Sequence, residues 1–272
     1  MSVFTRYADH IAHRIWQGEE RGALRIVSHW SKLKDFPRDH MPEAVNRIIR
    51  DFRLLEFSQC SLTMPDASLM PAFVEKWHPE TSPFHLPFEE MTVTLDDVDA
   101  LLHILIAGTF FTPPYINQEA ALCLVMEDLE TSQCWIYKHF PHLCDRKTHC
   151  VAVDSPCARR WKARHAIPGG VAEYRWRLDA LSVDDVVWTL YVSHRPHRPF
   201  DDASLYSGHI RRETHVTRHL PAMCLRQYGF IQTIPRPIPV VPTGGIDRWF
   251  QSHIISSARE IKENSSIVQH AS

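Results

Sequence analysis

Histidine and cysteine, the common protein ligands of zinc, crowd into one stretch of the chain. Six of them fall within nineteen residues: His139, His142, Cys144, His149, Cys150 and Cys157. No two of these cysteines have the C-x2-C spacing that is typical of a structural zinc site. With 18 histidines in the chain, part of the crowding arises by chance. We therefore expect no metal site and no stoichiometric zinc.

Clustered carboxylates are the groups that hold the two metal ions of many nucleases. Asp96, Asp97 and Asp99 stand at the start of a predicted helix, where they would cap the helix and complement its dipole. Two further pairs occupy similar cap and turn positions: Asp184-Asp185 and Asp201-Asp202. Because no predicted strand carries an isolated carboxylate between apolar residues, the pattern does not favour a nuclease.

Covalent catalysis by serine or lysine has little support. A serine hydrolase places its nucleophile on a strained turn, usually within G-x-S-x-G, and the nearest match, Ser207-Gly208-His209, lacks that frame. A pyridoxal-phosphate enzyme needs a Schiff-base lysine and a phosphate-binding site. Only seven lysines are present, and none lies in a glycine- or serine-rich cradle. We expect no catalytic residue and no cofactor.

Positive charge concentrates in the basic segment, residues 138–177, although the net charge of the chain is −2. The basic segment holds nine Lys or Arg against three acids. Four of them form the basic quartet: Arg159, Arg160, Lys162 and Arg164. Trp161, Tyr174 and Trp176 interleave with these charges, a pattern that suits stacking on single-stranded bases. The segment is a candidate nucleic-acid-binding surface, and a solvated face with buried aromatics is the simpler interpretation.

Composition predicts a globular protein of one large domain or two small ones, with 272 residues, 44% of them hydrophobic and 23% charged. No apolar run approaches the roughly eighteen residues of a membrane span, so we expect no membrane association. The charged start does not resemble a signal peptide. Seven cysteines without regular spacing indicate reduced thiols. A cytosolic or nuclear protein is expected.

The elements that would position these groups are clearest between Phe73 and His103. Apolar residues from Leu69 to Trp77 share one face of a helix, and His78-Pro79 should end it. We expect this helix to pack against the hairpin and the helix that follow. The predicted structural core comprises Phe73, Trp77, Phe84, Leu86, Val98, Leu101 and Leu102.

The hairpin is predicted around Glu89-Glu90, between two short apolar stretches. Thr94 and Asp97 then form an approximate capping box, which should open the next helix. Asp66 or Ser68 should cap the preceding helix in the same way.

Other segments carry weaker signals. Helices are predicted at Asp9–Trp16, Pro42–Phe52, Gln118–Trp135, Glu173–Leu181, Pro221–Tyr228 and Ile246–Ile261, and strands at Leu24–Val27 and Val186–Val192. Asp145 to Gly170 lacks periodicity and is predicted to be a loop or linker, and Pro235 to Pro242 an extended connector. The expected fold class is α+β, mainly helical with small β hairpins.

Several blocks of the sequence, in order, resemble one family. The blocks are ADHIAHRIWQGEER, FVEKWHPETSPFHLPFEEMTVTLDDVDALLHI, SQCWIYKHFPHL, DDVVWTLYVSHRPHRPF and HLPAMCLRQYGFIQTIPRP. They are similar to the plant mobile domain, the family of the MAIN (maintenance of meristems) and MAIN-like proteins and of many plant transposons. The family also carries the label aminotransferase-like, which the missing lysine cradle does not support.

The resemblance implies a non-enzymatic nuclear factor with roles in transposon silencing, genome stability and meristem maintenance. It also implies a phosphatase-7-like protein as a partner. Two other classes stay open: a nucleic-acid-binding module acting through the basic segment, and a relic of a transposon-encoded enzyme.

The sequence departs from the family pattern in two places. A helical block that family members carry is missing near 130–132, where Glu130-Thr131 joins the flanking segments directly. Either the remaining helices close this gap or an apolar face stays uncovered. Position 89, usually glycine, is Glu89, which would be strained in a left-handed conformation. The expected domains are a plant mobile domain-like unit at 1–245 and a C-terminal helix with a frayed tail at 246–272.

Overall fold

The protein is represented by a computed structural model, which describes residues 11–19, 42–43, 46–47, 50, 66–78, 83–104, 106, 133–144, 147–148, 151–152, 154–162, 167–212 and 215–234. Some predicted elements lie wholly or mostly outside these residues and stay predictions: Leu24–Val27, Pro42–Phe52, the start of Gln118–Trp135, Pro235–Pro242 and Ile246–Ile261.

Helices outnumber strands among the described residues. The α-helices are α1 (Ile11–Trp16), α2 (Leu69–Val74), α3 (Leu95–Leu102), the described part of α4 (133–139) and α5 (Gly170–Asp179). Short 3₁₀ helices span Cys157–Arg160, Val183–Asp185, Asp202–Leu205, Pro221–Met223 and Leu225–Tyr228.

Strands occur only as two-stranded antiparallel pairs in the described part of the chain. They are β1 (Phe84–His85) with β2 (Glu90–Met91), β3 (Lys147–Thr148) with β4 (Trp161–Lys162), and β5 (Gly208–Arg212) with β6 (His215–His219). The predicted fold class, mainly helical with small β hairpins, is confirmed.

The start of α3 is fixed by the capping box that the sequence predicts. Thr94 Oγ1 accepts the Asp97 backbone N–H at 3.2 Å, and Asp97 Oδ2 accepts the Thr94 backbone N–H at 2.8 Å. Two donors at the helix start, which have no intrahelical partner, are thereby satisfied. The β1–β2 hairpin directly before it is confirmed as well.

Helix α4 is enclosed by the core, because its described side chains are buried apart from the partly buried Lys138. The Trp135 ring stacks on Phe84 at a centroid distance of 5.5 Å and meets the edge of Phe73 at 6.1 Å. Thus α4 joins α2 and the β1–β2 hairpin. The described residues that follow the predicted gap near 130–132 are covered rather than left with an exposed apolar face.

Five of the seven predicted core side chains are buried: Phe73, Phe84, Leu86, Leu101 and Leu102. Trp77 contradicts the prediction, because 37% of its surface is exposed. Helix α2 ends at Val74, three residues early, and Trp77 instead forms an isolated β-bridge with Phe84. The side chain therefore leaves the buried helical face. Val98 is only partly buried.

Three predicted segments differ from the structure. Val186–Val192 is not a strand, because its one backbone tie to α4, from the Val187 N–H to the His139 carbonyl, does not make a ladder. The supposed linker Asp145–Gly170 carries β3, β4 and a 3₁₀ helix, and it places Trp161 in the core. Pro221–Tyr228 forms two 3₁₀ helices, which Gly229 ends at φ 85° as predicted.

Candidate functional site

The largest polar arrangement among the described residues joins the acidic first turn of α3 to residues 191–198, here named the clamp segment. Two successive turns shape this segment, since the N–H groups of His194 and Arg195 bond to the Tyr191 carbonyl and that of Arg198 bonds to the His194 carbonyl. Positions 191, 194, 195 and 198 have the spacing of one helical face. All four of their side chains contact α3 or its C-cap.

Two arginines of the clamp segment pair with two buried aspartates of α3. Arg195 binds Asp96 through two parallel hydrogen bonds of 2.6 Å each, and Arg198 binds Asp99 at 2.5 Å. Burial raises the pKa of Asp96 and of Asp99 above the ordinary aspartate value, although both arginines act in the opposite direction. The ion pairs thus offset only part of the desolvation cost, so they specify geometry more than they add stability.

Asp97 lies between these pairs and accepts the most hydrogen bonds. Tyr191 donates its hydroxyl to Asp97 Oδ1 at 2.7 Å, while the Thr94 hydroxyl donates to Oδ2 at 2.7 Å. His139 Nε2 of α4 lies 3.8 Å from Oδ1, too far for a hydrogen bond, so its influence is electrostatic. Burial acts to raise the pKa of Asp97, but His139 and Thr94 outweigh it and hold the pKa below its ordinary value.

His103, the C-cap residue of α3, is the partner of His194, the fourth side chain of the clamp segment. His103 has φ 59°, the left-handed region that non-glycine residues rarely adopt, and it is buried. Its Nε2 atom lies 2.9 Å from Nε2 of His194, so one ring donates a proton and the other accepts it. Among the described residues, His103 is the one non-glycine with positive φ. Glu89 therefore avoids the strain that its substitution for glycine suggested.

A second buried network ties α2, α4 and α5 together. Asp66 Oδ1 accepts the N–H groups of Ser68 and Leu69, so Asp66 is the residue whose side chain caps α2. Its Oδ2 atom accepts the Tyr174 hydroxyl of α5 at 2.7 Å. Gln133 of α4 accepts the Asp66 N–H. Asp66, at the start of α2, is therefore hydrogen-bonded to both α4 and α5.

The chemistry open to the acidic turn is limited by these contacts. Each of the three α3 carboxylates is hydrogen-bonded to protein groups and buried. In the part of the chain that the structure describes, no three His, Cys, Asp or Glu residues are placed to hold a metal ion. The prediction that these aspartates cap α3 is right for Asp97, whereas Asp96 and Asp99 form buried ion pairs that the sequence analysis missed.

The described members of the histidine–cysteine stretch do not form a group of three that could hold a metal ion. His139, Cys144 and Cys157 are buried and His142 is exposed, while His149 and Cys150 lie outside the described residues. His139 donates from Nδ1 to the Val187 carbonyl at 2.9 Å. The His139 ring therefore joins α4 to the backbone at Val187.

The basic segment contains fewer free charges than its sequence indicates. Arg175 binds Glu75 through two hydrogen bonds of 2.7 and 2.8 Å, and Arg177 pairs with Glu173. Arg159 and Arg160 of the basic quartet are exposed on their 3₁₀ helix. The other two members are not placed as side chains: Lys162 is described by its backbone in β4, and Arg164 lies outside the described residues.

Only one of the three aromatic residues predicted to stack on bases is available for stacking. Trp161 and Tyr174 are buried, which agrees with the simpler interpretation, and Trp176 is 67% exposed. None of the described helices is long and apolar enough to cross a membrane.

Sequence reasoning missed the clamp because its partners lie far apart in the chain. The usable signal is the spacing of Tyr191, His194, Arg195 and Arg198 at i, i+3, i+4 and i+7, which places four polar side chains on one helical face across the end of the predicted strand Val186–Val192.

Comparison with known proteins matches most of the chain. A family model described as "Plant mobile domain" matches residues 52–132 and 128–269. In Arabidopsis thaliana, "Protein MAIN-LIKE 2" is 41% identical over 100 residues, which are 36% of this chain and 14% of that protein. "Protein MAINTENANCE OF MERISTEMS" is 32% identical over 114 residues, 40% of this chain and 22% of that protein. "Serine/threonine-protein phosphatase 7 long form homolog" is 33% identical over 129 residues, 47% of this chain and 9% of that protein.

The matches thus span less than a quarter of the length of each of these relatives. No solved structure matches the chain. The two segments of the family match overlap at residues 128–132, where the sequence is predicted to lack a helical block. The missing block itself stays a prediction.

Proposed function

Because the chain belongs to the plant mobile domain family, we propose that it is a non-enzymatic nuclear factor that acts by binding other proteins. The roles proposed for it are transposon silencing, genome stability and meristem maintenance. They rest on its likeness to the MAIN-type proteins, one of which is named for the maintenance of meristems.

The observation that carries the non-enzymatic proposal is the state of the acidic turn. Asp96, Asp97 and Asp99 are the densest group of carboxylates at one helix start, and each is held by an arginine or tyrosine of the clamp segment. A carboxylate that acts on a substrate or a metal needs a free oxygen lone pair directed at an open site. These carboxylates are directed into the core instead, so we assign them to fold specificity.

A phosphatase-7-like protein is the proposed partner. The segment similar to this chain occurs within a protein named as a phosphatase 7 long form homolog. We propose that this chain binds a phosphatase of that kind as a separate polypeptide.

Affinity purification from plant nuclei, followed by mass spectrometry, tests the proposal. The tagged chain is purified with and without nuclease treatment, beside a variant in which the basic quartet is replaced by alanine. Recovery of a phosphatase-7-like protein in all samples supports the proposal. If every nuclear partner is lost on nuclease treatment and in the variant, the protein-binding proposal is wrong.

That second outcome would favour the alternative of a nucleic-acid-binding module. The observation on its side is the exposure of Arg159, Arg160 and Trp176 within the basic segment. Two arginines and one aromatic ring give a small site, since single-strand-binding proteins line several nucleotides with such groups. We therefore rank it second.

A further inference from the structure

Lys138 of α4 has an unusual environment for a lysine. It is partly buried, and its ammonium donates to Cys157 Sγ at 3.7 Å, within reach of a sulfur hydrogen bond. Its other contact is the face of the Tyr191 ring, 5.0 Å from the ring centroid. No carboxylate of the described residues pairs with it. Burial lowers the pKa of Lys138, so the neutral amine is more accessible than in an exposed lysine.

Cys157 lies at the first position of its 3₁₀ helix and is 5% exposed. Arg159 and Arg160 lie two and three positions further along the same 3₁₀ helix, and both are exposed. The thiolate is the form of a cysteine that reacts with oxidants, and the Lys138 nitrogen, 3.7 Å from Sγ, is the atom placed to exchange a proton with it.

We propose that Cys157 and Lys138 form an oxidation site, at which peroxide converts the two side chains into a reversible sulfur–nitrogen cross-link. In the first step the thiolate attacks hydrogen peroxide. An S–O bond forms, the O–O bond breaks, and the departing hydroxide takes a proton from the Lys138 ammonium to give water. Cys157 is then a sulfenic acid, and Lys138 is a neutral amine beside it.

In the second step the Lys138 amine attacks the sulfenic sulfur. A nitrogen–sulfur bond forms, the S–O bond breaks, and the hydroxyl leaves as water with one proton from nitrogen. Sulfenic acids condense with nitrogen in this way when the nitrogen is held close. In total one thiol, one amine and one peroxide give one sulfenamide and two waters, with sulfur oxidised and peroxide reduced.

The cross-link would join α4 to the 3₁₀ helix that carries Arg159 and Arg160. It would also remove the charge that lies over Tyr191, whose hydroxyl binds Asp97 in the acidic turn of α3. The site thereby connects the 3₁₀ helix that carries the two exposed arginines with the clamp segment inside the fold.

Peptide mass spectrometry of the full chain after peroxide treatment tests the proposal. The expected product is a linked peptide pair containing Lys138 and Cys157, lighter than the two unlinked peptides by two hydrogens, which dithiothreitol restores to both. Cys224 provides an internal control, because its thiol donates to the Glu90 carbonyl and burial raises its pKa well above the ordinary value. It should stay reduced under the same treatment.

Two variants separate activation of the thiol from cross-linking. Lys138→Arg keeps a positive charge beside Cys157 but cannot condense, so dimedone should trap a Cys157 sulfenic acid and no linked peptide should form. Cys157→Ser should lose both products. The proposal is wrong if the wild-type chain yields only sulfinic or sulfonic Cys157, or if Cys224 oxidises as fast as Cys157. Circular dichroism checks that each variant is folded.

Discussion

Replacing Arg195 by methionine is expected to destabilise the protein by about 3–4 kcal/mol at neutral pH. The change leaves the Asp96 carboxylate buried without its partner of two 2.6 Å hydrogen bonds. A stranded carboxylate escapes this state by taking up a proton. For a group with an ordinary pKa near 4, that uptake costs at most about 4 kcal/mol at pH 7, which bounds the loss.

Because the cost of protonating Asp96 limits the loss of stability, the destabilisation by Arg195→Met depends on pH. At pH 5 the protonation costs only about 1.5 kcal/mol, so the penalty of Arg195→Met should shrink by more than half. Adding Asp96→Asn removes the stranded charge, and the double variant should recover at least about 2 kcal/mol of the loss.

Urea unfolding, followed by tryptophan fluorescence at both pH values, measures these differences. Arg14→Met is the matched control, because Arg14 pairs with Glu19 at the same 2.6 Å but both side chains are exposed, by 60% and 49%. It should cost less than about 1 kcal/mol at either pH. The reasoning fails if Arg195→Met costs no more than this control, or if its cost is equal at the two pH values.

Three further measurements probe other parts of the structure. Trp77→Ala should cost about 1 kcal/mol against about 3–5 for Phe73→Ala in urea unfolding, because Trp77 is 37% exposed and Phe73 fully buried. Burial lowers the pKa of His219 from 6.5 to about 4, so between these values the unfolded chain binds more protons and the protein loses stability as the pH is lowered. The loss reaches about 3 kcal/mol, and His219→Gln should flatten it. For the basic quartet, we expect wild type and an all-alanine variant to bind single-stranded DNA equally weakly in anisotropy titrations, whereas four phosphate contacts would give a salt slope of about −3.

Local signals carried most of the successful predictions. The capping box of α3 and the β1–β2 hairpin are encoded within a few neighbouring residues, and both form as expected. Asp185, predicted to lie at a cap or turn position, forms a capping box with Ser182 at the start of a short 3₁₀ helix. In each case the hydrogen-bonding partners lie three to seven positions apart, so tertiary structure has little influence on the outcome.

Predictions failed where a residue is paired with a partner outside its own predicted element. Trp77 belongs to the apolar pattern of α2, but the pairing of residue 77 with Phe84 ends the helix early and turns the ring toward solvent. Charge counting overstated the basic segment for the same reason. Arg175 is neutralised by Glu75, which lies 100 positions away, and no sequence window contains both.

The sequence separation between the acidic turn and the clamp segment affects how the chain folds while it is made on the ribosome. The arginine partners of Asp96 and Asp99 are each synthesised 99 residues later. Tyr191, the partner of Asp97, is synthesised 94 residues later. At ordinary rates of translation, that interval lasts about 5–20 s, during which Asp96 and Asp99 have no arginine to pair with.

A nascent chain in this interval offers its apolar surface to chaperones and proteases. A reading frame that stops before Arg195 supplies neither arginine, so its product cannot complete the acidic turn and should be degraded. The late position of the clamp segment would therefore remove truncated products while full-length ones persist.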